Sequence, residues 1–410
     1  MTNAHTDLAP AWTASIPRHW CWMRNKVLLF EAQTLSTDGS EELLSVSHLT
    51  GVGPRSEKNV TMTEAESLEG YRVVEQGDLV INTMWAWMGA LGVARHAGIV
   101  SPAYGVYRPR PAAPFEPRFF DYLYRSTEYV MEMTRISRGI WSSRLRLYPE
   151  VFLRMAVPVP PLEEQRAIAD YLDRETARID TLIEEQQRLI VMLRERREAV
   201  IGAAFLDAQA QQPLKRVVRD VTVGIVVQPS RWYVEDGVPA LRGLNINRGS
   251  VSTRDLVYIS AEGDAANPKS RLNGGDVVVV RTGQAGAAAK VPESLDGANA
   301  IDILIIRPGT GTDADFLVWY LNSPVAASHI DEGSVGALQG HFNVGALREL
   351  PFPTISLDSQ RRIAIDLDTK VSAIDALIAE TERFIELSRE RRAALITAAV
   401  TGQIDVRGAV

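Results

Sequence analysis

The chain has 410 residues, 46% apolar and 23% charged, with 44 basic and 51 acidic side chains and a formal net charge of −7. At roughly 100–200 residues per domain, that length predicts about two to four folded domains, and the composition excludes wholesale disorder. The single cysteine, Cys21, excludes an internal disulfide framework and a four-cysteine zinc site, and the mild acidity argues against coating nucleic acid by bulk charge alone.

The opening MTNAHTDLAPAW lacks a basic run followed by an apolar stretch, so no signal peptide is expected. No window approaches 18 consecutive apolar residues, which argues against a transmembrane helix. Residues 1–157 read as a mixed α/β domain. A short aliphatic run at 79–81 predicts a strand, residues 82–94 a loop holding Trp85 and Trp87 with Arg95 just beyond it, and 117–126 an amphipathic helix. Arg135, Arg138, Arg144, Arg146 and Arg154 then fall within 20 residues against the single acid Glu150, interleaved with Trp141, Tyr148 and Phe152. Guanidinium groups with aromatics and small residues suit a loop that follows phosphates and reads base edges, because arginine pairs with either through two parallel bonds. A solvated basic loop over a buried tryptophan is the plainer alternative, and Trp85 and Trp87 could equally be core.

Residues 158–210 are a helix with 7 basic and 11 acidic groups. Pro161 suits its first turn, and Glu163 and Glu164 complement the positive end of the helix dipole. Ile179, Leu182, Ile183, Leu189, Ile190 and Leu193 recur at helical spacing, so one face is apolar and is expected to pack.

Residues 211–352 repeat the mixed α/β pattern, with predicted strands at 217–227, 256–259, 277–280 and 301–306 and a helix at 314–323. Lys269 and Arg271 are candidate phosphate contacts, and Arg281 and Gln284 leave a strand into a Gly/Ala-rich loop that ends at Lys290. Gln339, His341 and Asn343 offer donors and acceptors suited to base edges. Residues 353–410 form a second helix whose apolar face holds Ile374, Leu377, Ile378, Phe384, Ile385 and Leu395.

These segments are two copies of one plan. Residues 165–204 align without a gap on 360–399 at an offset of 195, with 21 of 40 positions identical, and Arg194-Glu195-Arg196-Arg197 recurs as Arg389-Glu390-Arg391-Arg392. The domains before the helices are less alike, but Gly77-Asp78-Leu79 echoes Gly275-Asp276-Val277, and Tyr107-Arg108-Pro109 echoes Ile306-Arg307-Pro308. Two such helices in one chain predict an antiparallel intramolecular coiled coil closed by a pseudo-two-fold axis. The expected fold is thus α+β: domains at 1–157 and 211–352, separated by helical segments at 158–210 and 353–410. An amphipathic helix lying on its own domain is the alternative.

Catalytic signals are thin. No phosphate-cradling Gly-x-x-x-x-Gly-Lys-Ser/Thr loop and no Gly-x-Gly-x-x-Gly follows a strand, and the six histidines show no metal spacing. Ser101-Pro102-Ala103-Tyr104 has only the outline of an adenine methyltransferase loop, without its asparagine. Asp368-x-Lys370 is half of a nuclease pattern and lies on a helix. No catalytic or metal site is expected.

Two unlike domains alternating with two helical repeats, the opening Pro160-Pro161-Leu162-Glu163-Glu164-Gln165, the Ile16-Pro17-x-x-Trp20 start, and Ala398-Ala399-Val400-Thr401-Gly402-Gln403-Ile404-Asp405 together resemble the specificity subunits of Type I restriction–modification enzymes (HsdS). The second helix departs from the pattern, beginning Ile355-Ser356-Leu357-Asp358-Ser359-Gln360. The resemblance implies a cytoplasmic prokaryotic protein, non-catalytic itself. Its two target recognition domains would each read half of an asymmetric interrupted site in double-stranded DNA, and its helix pair would set the spacer. Two modification methyltransferase subunits and restriction/translocase subunits would be the partners, with no membrane. S-adenosylmethionine, ATP and Mg would belong to those partners, and no cofactor to this chain. A coiled-coil scaffold without DNA recognition, and a self-contained DNA methyltransferase or nuclease, are the alternatives.

Overall fold

The two Gly-Asp-aliphatic runs are inner strands of two four-stranded antiparallel sheets that share one topology. The computed structural model describes residues 16–48, 50–57, 67–139, 145–206, 211–334 and 342–406. They fall into two units, Met1–Glu185 with Phe384–Val410, and Gln186–Arg383.

In the first unit the sheet joins β1 (Leu29–Glu31), β2 (Leu79–Asn82), β3 (Leu91–Val93) and β4 (Tyr104–Pro109) in the order β1-β4-β2-β3. Helices α1 (Pro117–Arg125), α2 (Thr127–Ile136) and α3 (Pro149–Arg154) follow. Cys21–Arg24 pairs with Ala156–Val159, and two residues later the long helix α4 (Leu162–Leu206) begins. The second unit repeats the plan. Strands β5 (Val218–Val223), β6 (Val277–Val280), β7 (Ala288–Lys290) and β8 (Ile303–Pro308) take the order β5-β8-β6-β7. Helices α5 (Ala314–Leu321), α6 (Pro324–Ser334) and α7 (Val344–Glu349) follow. Gln211–Pro213 pairs with Pro351–Pro353 before α8 (Leu357–Val400) starts.

The inner strands read as unbroken aliphatic runs because both of their faces are covered. Val277 and Val279 join a core with Phe316, Leu317 and Tyr320, while Val278 and Val280 face a second core with Leu241, Ala298 and Ile305. Leu79 and Ile81 likewise face Phe119, Phe120 and Leu123, and Val80 faces Val46 and Val106.

The weak sequence echoes mark one repeated lock. Gly77 and Gly275 both have φ in the left-handed region, 91° and 85°, which a side chain would resist. Each lets the following aspartate close its own turn: the Asp78 carboxylate accepts from the Glu75 amide (2.8 Å), and that of Asp276 from the Asn273 amide (2.9 Å). Arg108, on the neighbouring strand, donates to both Asp78 oxygens at 3.0 and 2.9 Å. Arg307 stands 3.9 Å from Asp276.

Along α4, Thr176, Ile179, Ile183, Gln186, Ile190, Leu193 and Arg197 are buried or half-buried, and Val371, Ile374, Ile378, Thr381, Ile385, Ser388 and Arg392 take the same places along α8. Steps of three and four give a period of about 3.5, the seam of a coiled coil. Inside the second unit, Arg194 pairs with Glu382 (3.1 Å) and Arg197 with Asp375 (2.9 Å), so α4 and α8 run antiparallel there. Inside the first unit, Asp180 meets Arg392 at 2.9 Å, the repeat-related copy of the Asp375–Arg197 pair. Four of the expected packing residues lie outside the seam. Leu182 (37% exposed), Leu189, Leu377 and Phe384 each precede a seam residue by one position and turn toward solvent, whereas Leu395 is half-buried.

Candidate nucleic-acid interface

In both units, the loop that leaves the Gly-Asp strand is bonded to the segment that precedes the last short helix. In the first, the Leu147 amide donates to the Thr83 carbonyl (3.0 Å), and in the second the Phe342 amide donates to the Arg281 carbonyl (3.1 Å). These are the places where the sequence concentrates its arginines and its base-edge side chains.

In the first unit, residues 83–90 form a tight tip between β2 and β3. Asn82 starts it by accepting from the Met84 amide through its side chain (3.3 Å) and from the Trp85 amide through its carbonyl (2.9 Å). A one-turn helix, Ala86–Met88, ends at Gly89, whose φ of 81° allows the reversal. Trp85 is 49% exposed, so it is not core, and it stacks on the half-buried Trp87 with centroids 6.1 Å apart and planes at 15°. Arg138 and Arg146 face each other through two backbone hydrogen bonds of 3.0 and 2.9 Å, and both side chains are exposed. Neither makes an ion pair among the described residues. Arg135 is exposed too, but it is held by both oxygens of Glu132, which raises its already high pKa through those charge-assisted bonds. Trp141 and Arg144 lie outside the described residues.

In the second unit the corresponding tip carries polar groups instead. Arg281 pairs with Asp302 (2.8 Å), and Gln284 is exposed with its carbonyl accepting from the Ala287 amide. Asn343 caps α7 by accepting from the Ala346 amide (2.9 Å). Gln339 and His341 lie outside the described residues.

Four sequence-selected cations are separated from these tips by strand direction. Val277 is opposite Lys290 and Ile306, and Val280 opposite Ile303, so Lys290 stands at the far end of the sheet from Arg281. It is engaged there by Asp315 (2.7 Å). Lys269 and Arg271 are at that far end too, since Arg307 donates to both of their carbonyls, and Arg271 is paired with Asp264. By the same geometry Leu79 is opposite Val93, which puts Arg95 away from Trp85. It lines a cleft of about 900 Å³ with Arg118, Asp121, Tyr122 and Asp173. The exposed Met84 (40%) and Met88, beside Trp85, were not singled out in the sequence, where nothing distinguishes them from core methionines.

Among the described residues no group of His, Cys, Asp and Glu is arranged to hold a metal, and no helix is long and apolar enough to cross a membrane. Asp368 accepts from the Trp319 indole (2.8 Å) and Lys370 pairs with Asp366, so the nuclease-like fragment is a helix surface.

No family model matches the chain. Over 248 residues it is 23% identical to the EcoBI specificity subunit, a Type I restriction enzyme component of Escherichia coli, covering 54% of this chain and 52% of that one. It is 22% identical over 183 residues to the StySPI specificity subunit of Salmonella potsdam, covering 43% and 39%. The matches thus span about half, or less, of the length of these curated relatives. Among solved structures, a chain from a type I R-M system studied for its assembly and conformational transition superposes with a TM-score of 0.73, 17% identity, and coverage of 95% and 100%. The HsdS subunit of Thermoanaerobacter tengcongensis superposes with a TM-score of 0.63, 19% identity, and coverage of 95% and 98%. In sequence and in fold, the chain resembles the specificity subunits of Type I restriction enzymes.

Proposed function

We propose that this chain is the DNA specificity subunit of a Type I restriction–modification system. Residues 1–157 and 211–352 act as its two target recognition domains, and residues 158–210 and 353–410 as the helical spacers. One observation carries the reading: the same junction of loop and pre-helix segment recurs in both domains and presents different side chains, Trp85, Arg138 and Arg146 in one, Arg281, Gln284 and Asn343 in the other. Repeated scaffolds with unlike tips suit the two halves of an asymmetric site in double-stranded DNA.

The helices carry the spacing. At 45 and 44 residues they are each about 65 Å long at 1.5 Å per residue. Two half-sites one turn apart lie roughly 34–36 Å from centre to centre. The chain is not the catalyst. Two modification methyltransferase subunits, which bring S-adenosylmethionine, and restriction subunits, which bring ATP and Mg, perform the chemistry in the prokaryotic cytoplasm.

Single-molecule sequencing of methylated adenine in host DNA tests this. The expected result is one motif with two unlike halves and a fixed gap, lost when the gene is deleted. A motif that survives the deletion refutes the function. Removing one heptad from both long helices keeps the 3.5-residue seam in register, and is expected to change the tolerated gap while leaving both halves unaltered. An unchanged gap refutes the spacer role.

A further inference from the structure

We propose that the 83–89 tip of the first domain is an apolar wedge that unstacks a base step in the half-site this domain reads. The proposal rests on the DNA-reading function above and adds a mode of recognition to it: deformation in one half, polar edge contacts in the other.

The tip is built to push. Met84, Trp85 and Met88 are 40%, 49% and 36% exposed, three large apolar side chains on one turn. Such groups in water are unfavourable unless something apolar covers them. The backbone beneath them is pinned on several sides. The Thr83 hydroxyl donates to the Ala103 carbonyl (3.0 Å), the Thr134 hydroxyl to the Trp87 carbonyl (3.0 Å), and the Trp87 indole to the Met84 carbonyl (2.9 Å). Any Cβ on Gly89 would lie 3.2 Å from Val130, so the reversal sits tightly on α2. Trp87 supports Trp85 from behind through the stacked contact.

The surroundings decide what the wedge enters. Arg138 and Arg146 pair with each other on the segment that the Leu147–Thr83 bond joins to the tip, and neither makes an ion pair among the described residues. A protein partner would have to bury those two charges. A duplex offers phosphates to the guanidinium groups and the faces of base pairs to the indole and thioethers. Apolar side chains placed between base steps unstack them and kink the helix by roughly 20–90°. In the second domain the same position holds Arg281, Thr282, Gly283 and Gln284, which have no such apolar tip.

The test uses the full-length chain assembled with its modification subunits. A duplex recovered from a random library by that assembly is labelled at both ends for energy transfer, then scanned with 2-aminopurine. The expected result is a bent duplex and brightening at one step of one half-site. With Trp85→Ala, the same sequence is enriched, the bend and brightening disappear, and affinity falls about tenfold, as for the loss of one stacked base. The Met84→Ala/Met88→Ala double variant is expected to weaken both signals, and it carries the test if Trp85→Ala fails to fold. Enrichment of a sequence on an undistorted duplex, or distortion unchanged in the variants, overturns the wedge and leaves the function standing. No enrichment of any sequence by the wild-type assembly overturns both.

Discussion

Gln165 and Gln360, 195 positions apart and both fully or nearly fully buried, make the same three hydrogen bonds. The Gln165 amide donates to the Pro114 and Pro160 carbonyls (3.0 and 2.8 Å) and its oxygen accepts from the Glu116 amide (2.9 Å). Gln360 does the same with Gly311, Ile355 and Asp313 (3.0, 3.1 and 2.9 Å). Each glutamine fixes the start of a long helix to the loop that begins the domain's first sheet-covering helix.

Replacing either glutamine leaves one buried N–H and two carbonyls without a partner, which costs about 2–4 kcal/mol. Gln165→Glu and Gln360→Glu are expected to be at least as damaging as the alanine variants, because one carboxylate oxygen keeps its backbone N–H donor but the other, in place of the amide nitrogen, faces two carbonyl oxygens. Hydrogen exchange checks this. Protection should fall at the Glu116 amide in the first case and at the Asp313 amide in the second. Unchanged protection would show that the clamp is dispensable.

The seam makes a second prediction. Ile190 and Ile385 are 7% and 6% exposed, so Ile190→Ala or Ile385→Ala should cost about 2–3 kcal/mol in chemical denaturation. Leu189→Ala and Phe384→Ala, one position away but exposed, should each cost under about 1 kcal/mol. The Arg197–Asp375 and Arg392–Asp180 pairs are part-exposed, and double-mutant cycles should return couplings below about 1 kcal/mol. Equal losses at Leu189 and Ile190 would mean that the seam is wider than a heptad.

The difference between those neighbours shows what was legible in the sequence. The helices, their duplication and the inner strands follow from local periodicity. A 3.6-residue stripe, however, is wide enough to include both Leu182 and Ile183. Only the partner helix selects the narrower seam, and the alignment cannot supply it. The Gly77/Gly275 and Arg108/Arg307 echoes are visible in the sequence only as matched residues; that each glycine opens a turn and each arginine approaches the aspartate on the neighbouring strand depends on strand pairing that local pattern does not carry. Arg95 and Lys290 lie away from the tips for a different reason. An antiparallel strand carries its residues back to the opposite end of the sheet, so nearness in sequence to Trp85 or Arg281 did not mean nearness in space.

The two aspartates of the repeated lock should respond oppositely to removal of charge. Asp276 is buried, and desolvation raises its pKa above the ordinary carboxylate value despite its bonds to Asn273 and the nearby Arg307. A folded-state pKa above the unfolded one favours the protonated form in the fold. Its contribution is present at low pH and is lost as pH rises through the folded value. Asp276→Asn removes that penalty, so its Tm at pH 7 should equal or exceed the wild type, with the advantage shrinking as pH falls through the raised folded-state value and gone below the ordinary carboxylate value. Asp78→Asn should instead lose about 2 kcal/mol at pH 7, because it breaks the two-pronged contact from Arg108. A pH-independent difference between Asp276→Asn and wild type would remove the desolvation argument.

On the proposed function, Arg138 and Arg146 are candidate DNA contacts of the first domain, because their backbones bond to each other and both side chains are exposed with no ion pair among the described residues. Arg135, tied to Glu132, serves as the internal comparison. Arg138→Ala or Arg146→Ala should weaken specific binding by the assembled methyltransferase, whereas Arg135→Ala should weaken it less. The form of the loss identifies the contact. A loss of about 1–3 kcal/mol that relaxes specificity at one position of one half-site means base readout. A uniform loss across sequences, with the salt slope reduced by about one ion, means a phosphate contact. Since the second domain presents Arg281 and Gln284 at its own tip, neither variant should alter the other half-site. Binding unaffected by both substitutions would remove this surface from the interface and, with it, the argument that the two tips are the readers.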